Sequence, residues 1–348
     1  MSRSAGNLSR WGRIFPLSRA VRYREFRINR AVYLGTGVLM VLPWIVQLAN
    51  NSWVWNRLTK QVLQSTIFGY VNGALAFSVW DVMLAGFLGV AVWWNDRSRG
   101  RLGLTLEGPV TRREALLAKF WMTWGTIAAT SLLNGILLVV TVVLSGLNGW
   151  AGPVLVKTLL LLTVETVVAA ATIAFGAAMG SAIFAAITTA IVGVIPLVAA
   201  SVVTHFAYPP WPARPQPWLA ALMNALSRLS PFTFDYGTVS LSVSHSALFL
   251  LGSVLLACFA LRWWDRAPQE RFHDPVFFPA LWYAVYAFLA VLSAFVTAAL
   301  IQPLVFPPTR ETWQFVAEFA AFAVIEWFMW RAIMRRIGRT ALRWGPDA

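Results

Sequence analysis

GALAFSVWDVMLAGFLGVAVWW, Gly73 to Trp94, runs without a break into NDRSRGRLGLTLEGPVTRREALLAK, Asn95 to Lys119. The first stretch is apolar over the length a helix needs to cross a bilayer, about 20 residues, and only a helix or a closed barrel satisfies its own backbone there. The second is short, polar and basic. A further apolar run starts at Leu116, so the chain reads as one that crosses a membrane repeatedly and is punctuated by charged connections.

Composition agrees across all 348 residues. With 58% apolar and 12% charged residues and a mean hydropathy of +0.65, an ordinary water-soluble domain is excluded. Working outward from Gly73 to Trp94, the hydrophobic pattern predicts an all-α, polytopic protein of about eight membrane helices. These are Ala31 to Ala49, Gly73 to Trp94, Leu116 to Leu144, Leu155 to Ser181, Ile183 to Phe206, Ala247 to Trp264, Val276 to Gln302 and Trp313 to Met334. The fourth and fifth nearly fuse, with a tight turn expected around Gly176, Gly180 and Ser181.

Charge sets the expected orientation. Residues 1–30, 95–119, 262–274 and 331–343 hold 22 of the 28 Lys and Arg residues, which places those segments and both termini on the cytoplasmic side. The net charge of +14 then reports topology and contact with anionic membrane lipids, and no nucleic-acid partner is expected. Three units follow: a basic tail with an interfacial helix (1–30), a six-span core (31–264) with a long outer connection (208–245), and an added two-span hairpin with a basic tail (265–348). The tail stretch LSRAVRYREFRINR, Leu17 to Arg30, sets Val21, Phe26 and Ile28 among arginines, as suits a helix lying at the interface. No cleavable leader is expected, because a long basic segment precedes the first apolar run.

Catalytic signatures are sparse. No GxxxxGK[ST] loop occurs, and the single Cys and three His have no metal-ligand spacing, so no metal and no cofactor is expected on this chain. Tryptophans such as Trp44, Trp93, Trp94, Trp263, Trp264, Trp327 and Trp330 gather where spans end, as an interfacial belt would. Four carboxylates fall inside apolar spans: Asp81, Glu165, Glu318 and Glu326. A buried acid needs a partner, a proton or water, so these either fix helix packing through hydrogen bonds or line a polar path. The Pro-rich run YPPWPARPQPW, Tyr208 to Trp218, should lie over the outer face before a short helix from Leu219 to Leu229.

The inner loop carries the most specific pattern. Gly100 to Glu107 reads as a small amphipathic helix, with Leu102, Leu104 and Leu106 beside Arg97, Arg99, Arg101 and Glu107. Gly108 and Pro109 end it. Thr111 caps the next helix, with Glu114 as its capping-box partner and Arg112, Arg113 and Lys119 near the membrane surface. A solvated basic loop explains the charges here but not the repeated leucines.

At Gly103, Leu104, Leu106, Pro109, Val110, Thr111, Arg112, Glu114, Leu116, Leu117 and Lys119 the chain resembles the permease subunits of type-2 ABC exporters. The resemblance extends to the order of elements over residues 17 to 264. It implies a non-catalytic transport subunit that pairs with a second permease copy or a paralogue and docks a cytoplasmic ABC ATPase through Arg97 to Glu114. ATP and Mg would then be bound by that partner. The family core has six spans, whereas Val276 to Met334 adds two, and of the usual acidic cluster at the start of the loop only Asp96 is present. The competing expectations are a polytopic membrane enzyme or a proton-coupled carrier that uses the buried carboxylates.

Overall fold

The computed structural model describes residues 19–52, 64–65, 76–98, 110–207, 217–231, 239–266 and 320–332, together with positions 283, 287, 290–291, 293–294 and 317. Its regular elements are all helical. In chain order they are α1 (Arg19–Ser52), α2 (Ala76–Ser98), α3 (Arg112–Leu144), a 3₁₀ turn (Asn148–Trp150) leading into α4 (Ala151–Ala178), α5 (Ala182–Ala207), α6 (Pro217–Leu229) and α7 (Val239–Arg266).

Four of the described helical stretches are long and apolar enough to cross a membrane: Arg19–Val46, Arg112–Leu144, Asn148–Ala178 and Val243–Arg266. A shorter apolar stretch covers Ala182–Pro196. Large apolar residues stay exposed along these helices, among them Leu34, Val38 and Ile45 on α1, Ile136 and Val140 on α3, and Leu251 and Leu255 on α7. Contiguous apolar surface on that scale belongs against hydrocarbon, and with the long apolar helices it marks a membrane protein.

The bundle is built around α4. Its most apolar window is 72% buried, against 22–39% for the other three candidate spans, because it packs on α2, α3, α5 and α7 at once. Small residues make this possible. A Cβ at Gly89 of α2 would lie 2.9 Å from Cβ of Thr172, and one at Gly135 of α3 would lie 2.6 Å from Cγ2 of Thr158. Glycine at both positions therefore lets α4 approach its neighbours backbone to backbone, the usual way of packing helices in lipid.

Polar backbone inside the helices is satisfied locally. Pro43 stands inside α1 and so frees the carbonyl four residues earlier; the indole Nε1 of Trp80 donates to that Leu39 oxygen at 3.2 Å. In α5, which contains Pro196, the Ser230 hydroxyl donates to the Gly193 carbonyl at 2.6 Å. Hydroxyls of Thr126, Thr158, Thr172 and Ser253 donate to the carbonyls four residues before them.

Several expectations meet the structure here. The break between the fourth and fifth spans is present: α4 stops at Ala178, Met179 is extended, and α5 starts at Ala182. The short helix expected after the Pro-rich run is α6, while residues 208–216 lie outside the described ones. The segment expected as an interfacial helix and the first span follow one another in α1, divided by a kink at Asn29, whose φ of −109° and ψ of 15° are non-helical. The two added spans are described only in part, and there the Trp330 indole donates to Ser293 Oγ at 3.0 Å, joining the two segments.

Candidate functional site

At the end of the bundle where α2 finishes and α3 begins, a charged network closes over the helix ends. Lys119 is 3% exposed. Its ammonium donates to both Glu25 oxygens, at 3.2 and 3.3 Å, and to Asp96 Oδ2. The triad joins the segment of α1 before the kink, the last turns of α2 and the first turns of α3. Buried ions of this kind are tolerated only when each is paired and its remaining lone pairs are filled, and that condition is met around Glu25. Asn29 Nδ2 and the Tyr33 hydroxyl donate to its Oε1 at 2.8 and 3.1 Å, and Asn95 Nδ2 donates in turn to Asn29 Oδ1. The Asn29 kink is thus held by side chains from two helices.

Arg97, one residue beyond Asp96, reaches the other way. One of its terminal nitrogens donates to the carbonyl oxygens of Gly176, at 2.7 Å, and of Met179, at the end of α4 where carbonyls have no helical partner and attract a cation. Its guanidinium also lies 4.9 Å from the Trp93 ring centroid. Trp93 donates to the Ile173 carbonyl at 3.1 Å and fits only because residue 176 is glycine: a Cβ there would collide with the indole. The start of α3 is fixed too. Thr111 and Glu114 form the reciprocal capping box, Arg112 donates to the Trp264 carbonyl at 3.4 Å, and Arg113 pairs with Asp265 at the end of α7, with Nε to Oδ2 at 2.7 Å.

A second polar cluster lies further along the same helices. Asp81 of α2 and Glu165 of α4 are each 1% exposed. The Trp44 indole donates to Asp81 Oδ2 at 3.0 Å and the Ser131 hydroxyl to Glu165 Oε2 at 2.6 Å. Asn134 Nδ2 donates to the Met40 carbonyl at 3.2 Å. Asp81 Oδ1 and Asn134 Oδ1 are buried with no protein hydrogen bond. The two acids therefore bond across helices, as their position required.

The sequence-derived site divides at this point. Arg97, Arg112, Arg113 and Glu114 stand at the two feet of the loop, tied as described. Arg99, Arg101, Leu102, Leu104, Leu106, Glu107 and Pro109, and with them the small helix expected over Gly100 to Glu107, lie outside the described residues. Glu318 also lies outside them, and Glu326 has one buried oxygen, Oε2, with no hydrogen bond. Lys119 is buried among its protein neighbours. Among the described residues no group of three or more His, Cys, Asp or Glu could hold a metal ion.

Glu25, Asn29, Tyr33 and Asn95 were not singled out in the sequence. A signal existed: Glu25 is the one acid in a run of arginines, and Asn95, Asp96 and Lys119 flank the loop. The tryptophan reading needs correction at three positions. Trp44, Trp93 and Trp264 are no more than 2% exposed; Trp93 and Trp264 pack together with ring centroids 5.1 Å apart, so these serve as core rather than as a lipid belt, with Trp44 and Trp93 also donating hydrogen bonds.

Compared with protein-family models, with curated proteins and with solved structures, the chain has no match in any of the three.

Proposed function

We propose that this chain is the membrane-spanning permease subunit of an ATP-driven transporter of the type-2 ABC exporter kind. It is non-catalytic, spans the bacterial cell membrane about eight times with both termini in the cytoplasm, and works beside a second copy or a paralogue. A cytoplasmic ABC ATPase, which binds ATP and Mg, docks on the loop between α2 and α3.

One observation carries the reading. Both feet of that loop are anchored to different parts of the bundle: Asp96 and Lys119 to the kinked segment of α1 through Glu25, Arg97 to the α4 end, and Arg113 to α7. A merely solvated connection has no need of such anchors. A loop that takes up force does, because a push on it is then delivered to the α1 kink, to the break between α4 and α5 and to the end of α7 together. The Gly-Leu-x-Leu and Pro-Val-Thr-Arg-x-Glu pattern within the loop adds the docking face. A proton-coupled carrier stands second, on the strength of two buried acids within the bundle, Asp81 and Glu165.

Co-purification from the native membrane in mild detergent tests the assignment. The wild type should bring down an ATPase that a Leu104→Asp, Leu106→Asp double variant loses. A stable protein carrying no ATPase would overturn the reading and move attention to the buried carboxylates.

A further inference from the structure

Two apolar grooves open on the sides of the bundle. One, of about 460 Å³, runs between α3, α4 and α7. The other, of about 650 Å³, runs between α1 and α3 and includes Phe26, Tyr33, Val38, Trp121 and Gly125. Both fall in the size range of small-molecule sites, and they differ in the charge at their loop end. Beside the first, Arg113 is already paired with Asp265. Beside the second stands the pre-kink segment of α1, with Arg19, Arg22, Arg24 and Arg27, followed by Arg30 just past the kink, and a single acid, Glu25, which Lys119 already engages.

Arg22 lies one helical turn before Phe26, and Arg30, just past the Asn29 kink, lies one turn before Tyr33 and Leu34; Phe26, Tyr33 and Leu34 all line the groove. Arg30 is exposed, and Arg22 has a buried Nε with no hydrogen-bond partner. The groove itself has room for a chain: a Cβ at Gly125 would meet nothing within 4 Å.

We propose that the groove between α1 and α3 binds one anionic phospholipid, with its phosphate headgroup at Arg22 and Arg30 and an acyl chain running down the groove past Tyr33 and Gly125. The inference needs only that the chain is a membrane protein and does not depend on the transport reading. Its consequence lies at Tyr33, which lines the groove and whose hydroxyl donates to Glu25 at 3.1 Å. A bound chain packs on the same ring that helps hold the Lys119 triad, so the lipid composition of the membrane would bear on how firmly the loop is anchored.

The test uses the full-length protein in nanodiscs containing phosphatidylglycerol or phosphatidylcholine with identical acyl chains brominated near their middle. Quenching of Trp121 is read as the difference between the wild type and Trp121→Phe. The expected result is quenching by the anionic lipid at a lower mole fraction, with the preference reduced about fivefold by Arg22→Gln and again by Arg30→Gln, since each basic residue near an anionic surface contributes roughly that factor. Gly125→Phe, which fills the groove, should abolish the preference for the anionic lipid while leaving both arginines in place; quenching that remains comes from the other groove, which Trp121 also lines. Equal quenching by the two lipids, or a preference that survives both arginine substitutions, would mean ordinary annular lipid and overturn the proposal. No quenching by either lipid would overturn it in favour of a protein surface, such as a second copy of the chain, covering the groove.

Discussion

The Lys119 cluster and the Asp81 cluster occupy the same helices, with Asp81 and Asp96 roughly 20 Å apart along α2, yet they handle buried charge in opposite ways. In the first, a cation sits between two carboxylates and Glu25 Oε1 accepts further hydrogen bonds from Asn29 and Tyr33. In the second, the acids accept from neutral donors, an indole and a hydroxyl. The contrast separates two ways of keeping polar groups in a membrane protein. An ion triad is rigid and intolerant of losing any member, because what remains is an uncompensated charge. Acids held by neutral donors can lose a formal charge with little penalty, provided the shape and the hydrogen bond survive.

The sharpest way to break this contrast is to remove the cation. Lys119→Met should destabilise the protein by about 3–5 kcal/mol, the cost of breaking a buried pair, read as a drop in melting temperature in detergent. Combining it with Glu25→Gln and Asp96→Asn should restore most of that loss, since no unpaired charge is then left. Failure of the triple variant to recover would show that the triad matters for its shape rather than for its charge.

Next in size is the glycine that lets the loop end close. Gly176→Val drives a side chain into the Trp93 ring and should cost about 1–3 kcal/mol as overpacking. It should also weaken the grip of Arg97 on the Gly176 carbonyl, visible as faster hydrogen exchange at the end of α4.

The Asp81 cluster should respond in the other sense. Asp81→Ala leaves the Trp44 indole without an acceptor and should cost about 1–3 kcal/mol, whereas Asp81→Asn keeps the acceptor and should fall within about 1 kcal/mol of wild type. A large loss with asparagine would mean that the charge itself is required, and would strengthen the carrier reading.

The smallest effects belong to the exposed feet of the loop. Thr111→Ala removes the cap of α3 and should cost about 1 kcal/mol. Arg113→Gln breaks an ion pair whose arginine side chain is 58% exposed and should cost less than about 1 kcal/mol. If Arg113→Gln nonetheless uncouples ATPase binding from transport, its role is transmission rather than stability.

Much of this architecture was legible in the residues. The apolar runs located α2 to α5 to within a few positions and the C-terminal ends of α1 and α7, whose helices begin well before the apolar runs. Thr111 and Glu114 announced their capping box, and the chain broke at Met179 to Ser181, where Gly180 and Ser181 suggested, while Gly176 stayed inside α4. Asp81 and Glu165 were expected to need partners and have them. The Lys119 triad was not legible, because Glu25 and Lys119 are 94 positions apart and nothing local to either names the other. The kink at Asn29 escaped for the same reason: its side chain is held by Glu25 on its own helix and by Asn95 on another.

By itself, then, the sequence determined that the chain is helical, apolar enough for a membrane, and interrupted by a basic loop with a capped helix after it. Those are properties of composition, of local hydrogen bonding and of a period of 3.6 residues, each contained within a few turns. The tertiary structure alone decided that α4 is the centre, that Trp44, Trp93 and Trp264 point inward, and which charges meet. Periodicity marks the side of a helix that is buried, but the partner it is buried against is chosen by the fit of whole surfaces, of Gly89 against Thr172 and Gly176 against Trp93, and that fit exists only once the helices have packed.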